Sequence, residues 1–511
     1  MRGRNSSLRK LWIGCAALAL GTTQAHTAWQ KVSSPHFVIY ADGEPDKLRA
    51  FATRLEKFDK AVRVVRTMPD PKLGDGNRLT IFVVPDAKAV QALAVLMTDL
   101  TSNLDGFYQG SAQGSIAVVP RRSGDTNQSD LEDQSTFFHE YSHHLMYFDL
   151  SEPTPLWYSE GFAEFMSTAA FSRDGSVTLG KVALGRADDV DDSHTFPLDK
   201  MLSGKYGKLT EPEWNALYAR GWLLTHYLTF EPTRKGQLSQ YLKGIAEGKD
   251  PLQAATAAFN DLAVLNRNLH GYLRRGRMSA FKVAAQALLV GQISVEPLTA
   301  GAAEVMPFRT RLKIGVRKVD RSALALQVRA VAVRYPADPL VQVTLADAEF
   351  REAHYAAAES AADRALAANP RMIEAMLVKG RAIIEQAAVG EKDKTFAAAR
   401  GWYMKANKLD SEDPQPLLLF HQAYLRDTGR PTANAIAALH YSSELAPQDI
   451  GLRIQSAYQY LEDGKLAEAR KALVPVAFDP HGGEAASWAR AAIGKIDAAD
   501  AKGARAAMRS N

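Results

Sequence analysis

The sequence predicts an α+β fold in two parts: an amino-terminal domain with a mixed sheet and helices, followed by an all-α solenoid. Up to about residue 280, apolar runs of strand length alternate with apolar residues at helical spacing. From about residue 320 the chain is rich in alanine, and its prolines recur at intervals near 34 residues. A chain of 511 residues has room for two or three domains.

The amino terminus has the pattern of an export signal. Four basic residues precede an apolar run from Leu11 to Leu20, which is too short to span a bilayer. Thr23-Gln24-Ala25 resembles a small-x-small cleavage site, so residues 1–25 are predicted to be a cleaved signal peptide. An uncleaved anchor is the alternative. We therefore expect an exported bacterial protein, either periplasmic or secreted.

Removal of this signal changes the charge balance and the cysteine count. It deletes four basic residues, which leaves 58 Lys and Arg against 57 Asp and Glu. This near-neutral balance gives no electrostatic indication of nucleic-acid binding. The single cysteine, Cys15, is also removed, so no disulfide framework is expected. No other apolar run has the length of a membrane span, so no integral membrane segment is expected after signal removal.

The first part of the mature chain alternates strand and helix patterns. Strands are predicted at 36–40, 79–84 and 115–119, and helices at 47–65 and 87–97. A polar, glycine-containing loop at 121–130 is predicted to be a mobile rim.

Residues 156–280 are predicted to be mostly helical. A hairpin at 171–182, with Asp174-Gly175 as its turn, interrupts the helices. One helix is predicted to end near residue 230 and another to cover 262–275. The following segment, 281–319, contains strand-like stretches at 292–298 and 308–314 and is treated as a connection of unclear role.

The motif His139-Glu140-Tyr141-Ser142-His143 carries the strongest chemical signal. Two histidines four residues apart on a helix share one face, so both can bind one Zn²⁺ at about 2.0–2.1 Å. Glu140 follows the first ligand and is predicted to act as the base that holds the zinc-bound water. His144 points about 100° away from His143 on a helix, so it is predicted to be a packing or surface residue.

A second motif, Glu160-Gly161-Phe162-Ala163-Glu164, follows on a separate predicted helix. Glu160 is predicted to complete a His₂Glu set for one zinc ion per chain, which leaves the fourth position open for water. Glu164 lies one turn further along, and it is predicted to hydrogen-bond a ligating imidazole.

The two motifs together resemble those of the gluzincin clan of zinc metallopeptidases, and the likeness is closest to the peptidase MA-like proteins of bacteria. The resemblance covers roughly residues 28–280 and implies a zincin-like catalytic domain at 26–280. In these proteins the strand before the zinc-site helix forms the sheet edge and binds extended peptide. This implies an edge position for strand 115–119, with an interior strand as the alternative.

A third element, Tyr218-Ala219-Arg220-Gly221, is similar to the Y-x-K-G element of the aminopeptidase branch. The tyrosine of that element stabilises the oxyanion, which implies the same catalytic role for Tyr218. Arg220 replaces the lysine and keeps its charge. The G-x-M-E-N element that anchors a free amino terminus is absent, so aminopeptidase specificity is not supported.

Residues 320–500 are predicted to form a tetratricopeptide-type solenoid. Its prolines, at 336, 370, 414, 447 and 480, are separated by 34, 44, 33 and 33 residues, close to the 34-residue period of such repeats. The longer interval is explained by an insertion around residues 389–395. Solenoids of this kind bind a protein or peptide, which predicts a protein partner here. A helical spacer that binds nothing is the alternative.

The predicted function is that of a zinc-dependent metallopeptidase with a peptide or protein substrate. Glu140 and Tyr218 are its predicted catalytic residues, and His139, His143 and Glu160 its metal ligands. Two alternatives remain at this point. The chain could be a periplasmic repeat scaffold with a vestigial zinc site, or a zinc hydrolase of a non-peptide amide.

Overall fold

The computed structural model describes residues 29–71, 73–95, 106–122, 131, 134–149, 154–183, 186, 196–275, 277–390, 394–479 and 483–509. The predicted signal peptide and most of the 121–130 loop lie outside these residues. Within the described ranges, no helix is long and apolar enough to cross a membrane.

Nine strands form two sheets in the described part of the chain. In chain order they are β1 (Trp29–Ser33), β2 (Phe37–Asp42), β3 (Leu79–Asp86), β4 (Phe107–Gln109), β5 (Ile116–Arg122), β6 (Ala170–Phe171), β7 (Val177–Leu179), β8 (Phe281–Val283) and β9 (Ser294–Pro297). The larger sheet is mixed, with the order β4-β5-β3-β2-β1-β9, and the smaller has the order β6-β7-β8. Strands β2, β3 and β5 are parallel, whereas β1, β4 and β9 pair antiparallel with their neighbours.

Nine described helices belong to the amino-terminal half. They are α1 (Pro45–Arg66), α2 (Ala87–Val95), α3 (Ser135–Asp149), α4 (Leu156–Ser167), α5 (Leu198–Ser203), α6 (Glu211–Phe230), α7 (Gln237–Ala246), α8 (Pro251–Phe259) and α9 (Leu262–Arg274). The helices predicted at 47–65, 87–97 and 262–275 correspond to α1, α2 and α9. The predicted hairpin at 171–182 is formed by β6 and β7.

Both faces of the larger sheet are covered, because side chains alternate between them along each strand. Ile39 and Ala41 of β2 face a core shared with α1, α3, α4 and α6. Val38 and Tyr40 face the opposite side, where α2 covers Phe82. Central strands that are buried on both faces have nearly continuous apolar sequences, which is the pattern of β2, β3 and β5.

At the end of the larger sheet next to β5, the edge strand is β4. β4 pairs antiparallel with β5 through Phe107↔Val118, Tyr108↔Ala117 and Gln109↔Ile116. The predicted edge position of strand 115–119 is therefore wrong, and the interior alternative is correct. Three residues are too few for a periodic pattern to reveal a strand, so the sequence did not show β4.

The segment 281–319 contributes to both sheets and to the helical region. β8 pairs with β7, and β9 pairs with β1. The strand-like stretch at 308–314 is instead the end of helix α10 (Ala300–Ile314). Thr299 caps this helix by accepting a hydrogen bond from the Ala302 N–H over 3.1 Å. Met306 and Ile314 of α10 are buried against the sheet, on the same face as α2.

Eleven further described helices continue from α10 to the end of the chain. They are α11 (Arg321–Arg334), α12 (Pro339–Arg351), α13 (Tyr355–Ala368), α14 (Ile373–Ala388), α15 (Phe396–Leu409), α16 (Pro414–Thr428), α17 (Ala433–Leu445), α18 (Ile450–Glu462), α19 (Leu466–Ala477), α20 (Gly483–Asp497) and α21 (Ala501–Arg509). Consecutive helices pack against one another, as in a tetratricopeptide-type solenoid. The insertion predicted around residues 389–395 lies between α14 and α15, and α14 is also longer than α12, with 16 residues against 13.

The solenoid docks on the amino-terminal half beside the edge strand. Ala112, in the turn between β4 and β5, is buried with Leu418, Leu439, Ala446 and Leu452 of the solenoid. Three hydrogen bonds join the same surfaces: Ala112 N to Asp449 Oδ2 (2.8 Å), Gln448 Nε2 to Ser115 Oγ (3.0 Å) and Asn77 Nδ2 to the Leu445 carbonyl (2.6 Å). The helical repeat therefore contacts the turn that follows the edge strand β4.

Candidate metal centre

Helix α3 positions the two histidines of the first motif. Its apolar residues Phe137, Phe138, Tyr141 and Leu145 are buried in the main core, so the opposite side of the helix faces the site. The Tyr141 hydroxyl donates a hydrogen bond to Asp59 Oδ1 over 2.8 Å, which fixes the rotation of α3 against α1. His139 and His143 lie one turn apart on the side of α3 that faces the site, and their Nε2 atoms are 3.2 Å apart.

Helix α4 brings Glu160 to the same point. Its Oε2 atom lies 3.3 Å from Nε2 of His139 and 3.3 Å from Nε2 of His143. The three atoms form a nearly equilateral triangle, and they are one of two groups of potential ligands found among the described residues. Tetrahedral ligands at zinc–ligand distances of 2.0–2.1 Å would be about 3.3 Å apart. The ligands therefore fit Zn²⁺ without rearrangement.

Two glycines allow α4 and α6 to approach closely at this centre. A Cβ atom on Gly161 would lie 2.3 Å from the Gly221 carbonyl oxygen, and a Cβ atom on Gly221 would lie 2.5 Å from the Trp157 oxygen. No side chain fits in either place. Gly161, which follows Glu160, and Gly221, which ends the Tyr218 motif, thus form one helix crossing. This crossing sets the positions of Glu160 and Tyr218.

The imidazoles are oriented by a second layer of polar groups. Glu164 Oε1 lies 3.4 Å from Nδ1 of His139, and it accepts a hydrogen bond from Arg186 Nη2 over 2.8 Å. On the other ligand, Ser159 Oγ lies 3.3 Å from Nδ1 of His143. Sequence reasoning missed Ser159 and Arg186. Ser159 directly precedes Glu160, but neither residue belongs to a motif that predicts this contact.

The electrostatics of the centre favour a bound cation. Burial would lower the pKa of His139, but the Glu160 and Glu164 carboxylates outweigh it and raise that pKa to about 10. Burial would likewise raise the pKa of Glu160, but the imidazoles of His143 and His139 hold it well below its usual range. The carboxylates therefore stabilise positive charge at the imidazoles, and a metal ion would take the place of the His139 proton, because metal ions bind neutral imidazole.

Glu140 and Tyr218 line the cavity next to the three ligands. This cavity has a volume of about 630 Å³, and it is also lined by His139, Glu164 and Arg186. The Tyr218 ring lies 6.1 Å from the His139 ring and packs against Trp214 at 5.7 Å. Burial raises the pKa of Tyr218 well above its ordinary value, so its hydroxyl keeps its proton and remains a hydrogen-bond donor.

The basic residue of the Tyr218 motif lies outside this cavity. Arg220 is buried and donates from Nη2 to Asn266 Oδ1 of α9 over 2.6 Å. Burial lowers the pKa of Arg220. Its charge is therefore used in helix packing and makes no contact with the metal ligands.

His144 is a packing residue, as predicted. Its ring stacks on Tyr141 at 5.2 Å, and its Nδ1 lies 2.6 Å from the Tyr108 hydroxyl of β4. Burial lowers the pKa of His144 to about 3, so the ring is neutral. This neutral hydrogen bond joins β4 to α3.

A second group of potential ligands consists of His36, Asp59 and Asp70. Basic side chains already form ion pairs with its carboxylates. Arg63 donates from Nε to Asp59 over 2.8 Å, and Lys60 Nζ lies 2.5 Å from Asp70 Oδ2. These partners neutralise the carboxylates, so the group does not fit a metal ion.

No protein-family model and no curated protein matches the sequence. Among solved structures, the chain is similar to the crystal structure of yeast Tom70, with 14% sequence identity over 87% of this chain and 82% of that chain. The TM-score is 0.30. A TM-score this low supports no inference, so the functional interpretation rests on the site itself.

Proposed function

We propose that the protein is an exported zinc-dependent metallopeptidase of gluzincin type. His139, His143 and Glu160 hold the zinc ion. The triangle of their ligand atoms, with sides of 3.2–3.3 Å, carries this proposal because it matches the ligand spacing of tetrahedral zinc. Three protein ligands leave a fourth position for water or substrate, which is the arrangement of catalytic zinc sites.

When bound, the zinc ion acts as a Lewis acid that polarises the scissile carbonyl and acidifies an attacking water. Glu140 lines the cavity directly after the first ligand, so it is placed to accept the proton of that water and to return it to the leaving amine. Tyr218 keeps its proton and donates a hydrogen bond to the carbonyl oxygen as negative charge develops on it. Glu164 and Ser159 hold the orientation of the two imidazoles.

The substrate of this proposal is an extended peptide. β4 is the last strand of its sheet in the described chain, so its outer edge offers backbone donors and acceptors to a further strand. Tyr108 of β4 contacts His144 of α3, so this edge lies against the helix that carries His139 and His143. A cavity of about 630 Å³ has room for the side chains next to the scissile bond.

The decisive experiment compares the mature wild-type protein with its Glu140→Gln variant on unfolded, dye-labelled casein. The variant keeps all three ligands, so we expect one zinc ion per chain and loss of hydrolysis. The exposed Glu296→Gln change is a matched control and leaves hydrolysis unchanged. A chelator abolishes wild-type hydrolysis, and added zinc restores it. Hydrolysis by Glu140→Gln at the wild-type rate, or insensitivity to chelator, would refute the proposal.

A further inference from the structure

A second cavity lies between the edge strand and the solenoid. Its volume is about 240 Å³. Gln109 and Ile116 line it from the β4–β5 side, and helices α12, α14 and α16 line it from the solenoid side. These three helices are the first members of three consecutive helix pairs. The cavity therefore exists only because the helical repeat is docked on the sheet edge.

Of the charged side chains that line this cavity, one cation forms no ion pair with another described residue. Glu374 is paired with Lys313 at 2.7 Å and also with Arg309, which lies behind the lining. Arg351 Nε donates to Asp347 Oδ2 over 3.2 Å.

Arg381 is the remaining cation of the lining. It has no ion pair with any carboxylate in the part of the chain that the structure describes. Its guanidinium lies 4.1 Å from the centre of the Phe350 ring, which holds its plane in a fixed position. Burial lowers the pKa of Arg381 more than the charge of nearby Asp347 raises it. A desolvated guanidinium on a cavity wall is costly unless an anion joins it.

The cavity lies at the end of β4 on the opposite face of the sheet from α3, within reach of a side chain of a peptide bound along β4. Tyr108 of β4 contacts the zinc-site helix, and the next residue, Gln109, lines the cavity. Successive residues of a strand advance about 3.3 Å. Because successive side chains of a strand alternate between the two faces of a sheet, a peptide on the outer edge of β4 would direct one side chain towards α3 and the next towards the cavity.

We propose that this cavity binds an acidic side chain of the peptide substrate, with Arg381 as its principal contact. The protein then selects peptides that carry Asp or Glu a few residues from the cleaved bond. A volume of 240 Å³ equals that of about eight liquid waters, which suits one acidic residue. A guanidinium binds a carboxylate through two parallel hydrogen bonds, a geometry that an uncharged amide cannot match. The cleavage preference, but not the binding, rests on the proposed peptidase function.

Binding is tested without catalysis, in the full mature chain carrying Glu140→Gln and loaded with zinc. Two fluorescent peptides of equal length are compared by anisotropy, both blocked at each end. One contains glutamates, and the other has glutamine at the same positions. We expect at least about tenfold tighter binding of the acidic peptide, because a charge-assisted hydrogen bond contributes about 1.5–3 kcal/mol. Equal affinities would overturn the proposal, and this comparison needs no change to Arg381.

The contact itself is tested by adding Arg381→Gln. We expect this change to remove the preference for the acidic peptide while leaving the affinity for the glutamine peptide unchanged. Arg430→Gln, in an exposed turn of the solenoid, makes the same charge change and keeps the preference. Arg381→Lys retains the positive charge but cannot form two parallel hydrogen bonds, so we expect it to keep part of the preference for the acidic peptide. Persistence of the full preference in Arg381→Gln would exclude Arg381 as the contact.

The cleavage preference is tested by mapping the new termini in casein digested by the active enzyme. We expect Asp or Glu to be enriched at one position near the cleaved bond, and Arg381→Gln to remove that enrichment. If wild-type protein cuts casein but neither experiment shows an acidic preference, this inference fails alone. If it does not cut casein, the peptidase proposal fails, while the binding experiment still decides the role of the cavity.

Discussion

Two clusters of histidine and carboxylate groups in this protein have similar composition and different chemistry. The first joins His139, His143 and Glu160, and the second joins His36, Asp59 and Asp70. Both bring their potential ligand atoms within metal-binding reach. The first opens on a cavity of about 630 Å³ and has three atoms at the spacing of zinc ligands. In the second, cationic side chains already neutralise the carboxylates. Proximity of ligands alone therefore does not define a metal site.

The strongest test of this comparison is the metal content of one variant from each cluster. His143→Ala removes one corner of the ligand triangle, so we expect bound zinc to fall from about one ion per chain to nearly none and hydrolysis to be lost. His36→Ala leaves that triangle intact, so zinc content stays near one. Both are measured by elemental analysis after dialysis against a chelating resin. Two zinc ions per wild-type chain, with one lost in His36→Ala, would show that the second cluster also binds metal.

The rigidity of the first cluster depends on the crossing of α4 and α6. A methyl group on Gly161 would overlap the Gly221 carbonyl, which belongs to the backbone and cannot rotate away. We expect Gly161→Ala to lower the free energy of unfolding by about 3 kcal/mol and to weaken zinc binding. Gly271→Ala is a matched control, because nothing lies within 4 Å of its Cβ position on α9, and it stabilises the fold by up to about 1 kcal/mol. Thermal or denaturant unfolding measures both, and equal stability of the two variants would contradict the close crossing.

Tyr218 lies beside the first cluster and is proposed to act in catalysis without binding the metal. Its ring packs on Trp214 and lies 6.1 Å from the His139 ring, and the proposed ligands are His139, His143 and Glu160. We expect Tyr218→Phe to lower kcat about a hundredfold with zinc content and thermal stability unchanged, because one oxyanion donor is lost. Steady-state kinetics on a peptide cleaved by the wild type provide the measurement. An unchanged kcat would show that Tyr218 does not contact the reacting carbonyl.

The sequence predicted the parts of the centre that are encoded locally. His139 and His143 share a helix face through their spacing alone, and Glu160 and Glu164 follow the same rule on α4. The contacts of Ser159 and Arg186 depend on how separate segments pack. The spacing of residues along the sequence does not reveal such packing. The same limit applies to Arg381, whose significance appears only when α14 lies opposite β4.

The errors in the predicted fold have equally physical causes. The stretch Phe308–Ile314 alternates apolar and polar residues with the period of a strand, yet it forms part of α10. The cap at Thr299 starts this helix, and its burial between the sheet and the solenoid overrides the local alternation. The edge position assigned to β5 failed for another reason: β4 has only three residues, and its pairing with β5 is a tertiary contact.

The smallest expected effect concerns the second cluster. It is a change of folding stability with pH, and its direction follows from the charges around His36. Burial opposes protonation of His36, but a hydrogen bond to Glu56 and the charge of Asp59 outweigh it and raise the pKa of His36 from 6.5 to about 8. A raised pKa in the folded state means that protonated His36 stabilises the fold. This contribution is fully present below about pH 6.5 and is lost as the pH rises through 8. A shift of this size corresponds to about 2 kcal/mol.

We therefore expect wild-type protein to exceed His36→Gln in unfolding free energy by about 2 kcal/mol more at pH 6 than at pH 9. Denaturant unfolding of both proteins across this range measures the difference between their unfolding free energies. Any pH dependence that the two proteins share cancels in this difference. A metal-binding cluster would behave oppositely, because metal ions bind deprotonated histidine and stabilise the fold increasingly as the pH rises. A stability difference that grows from pH 6 to pH 9, and disappears with chelator, would reassign the His36 cluster from ion pairing to metal binding.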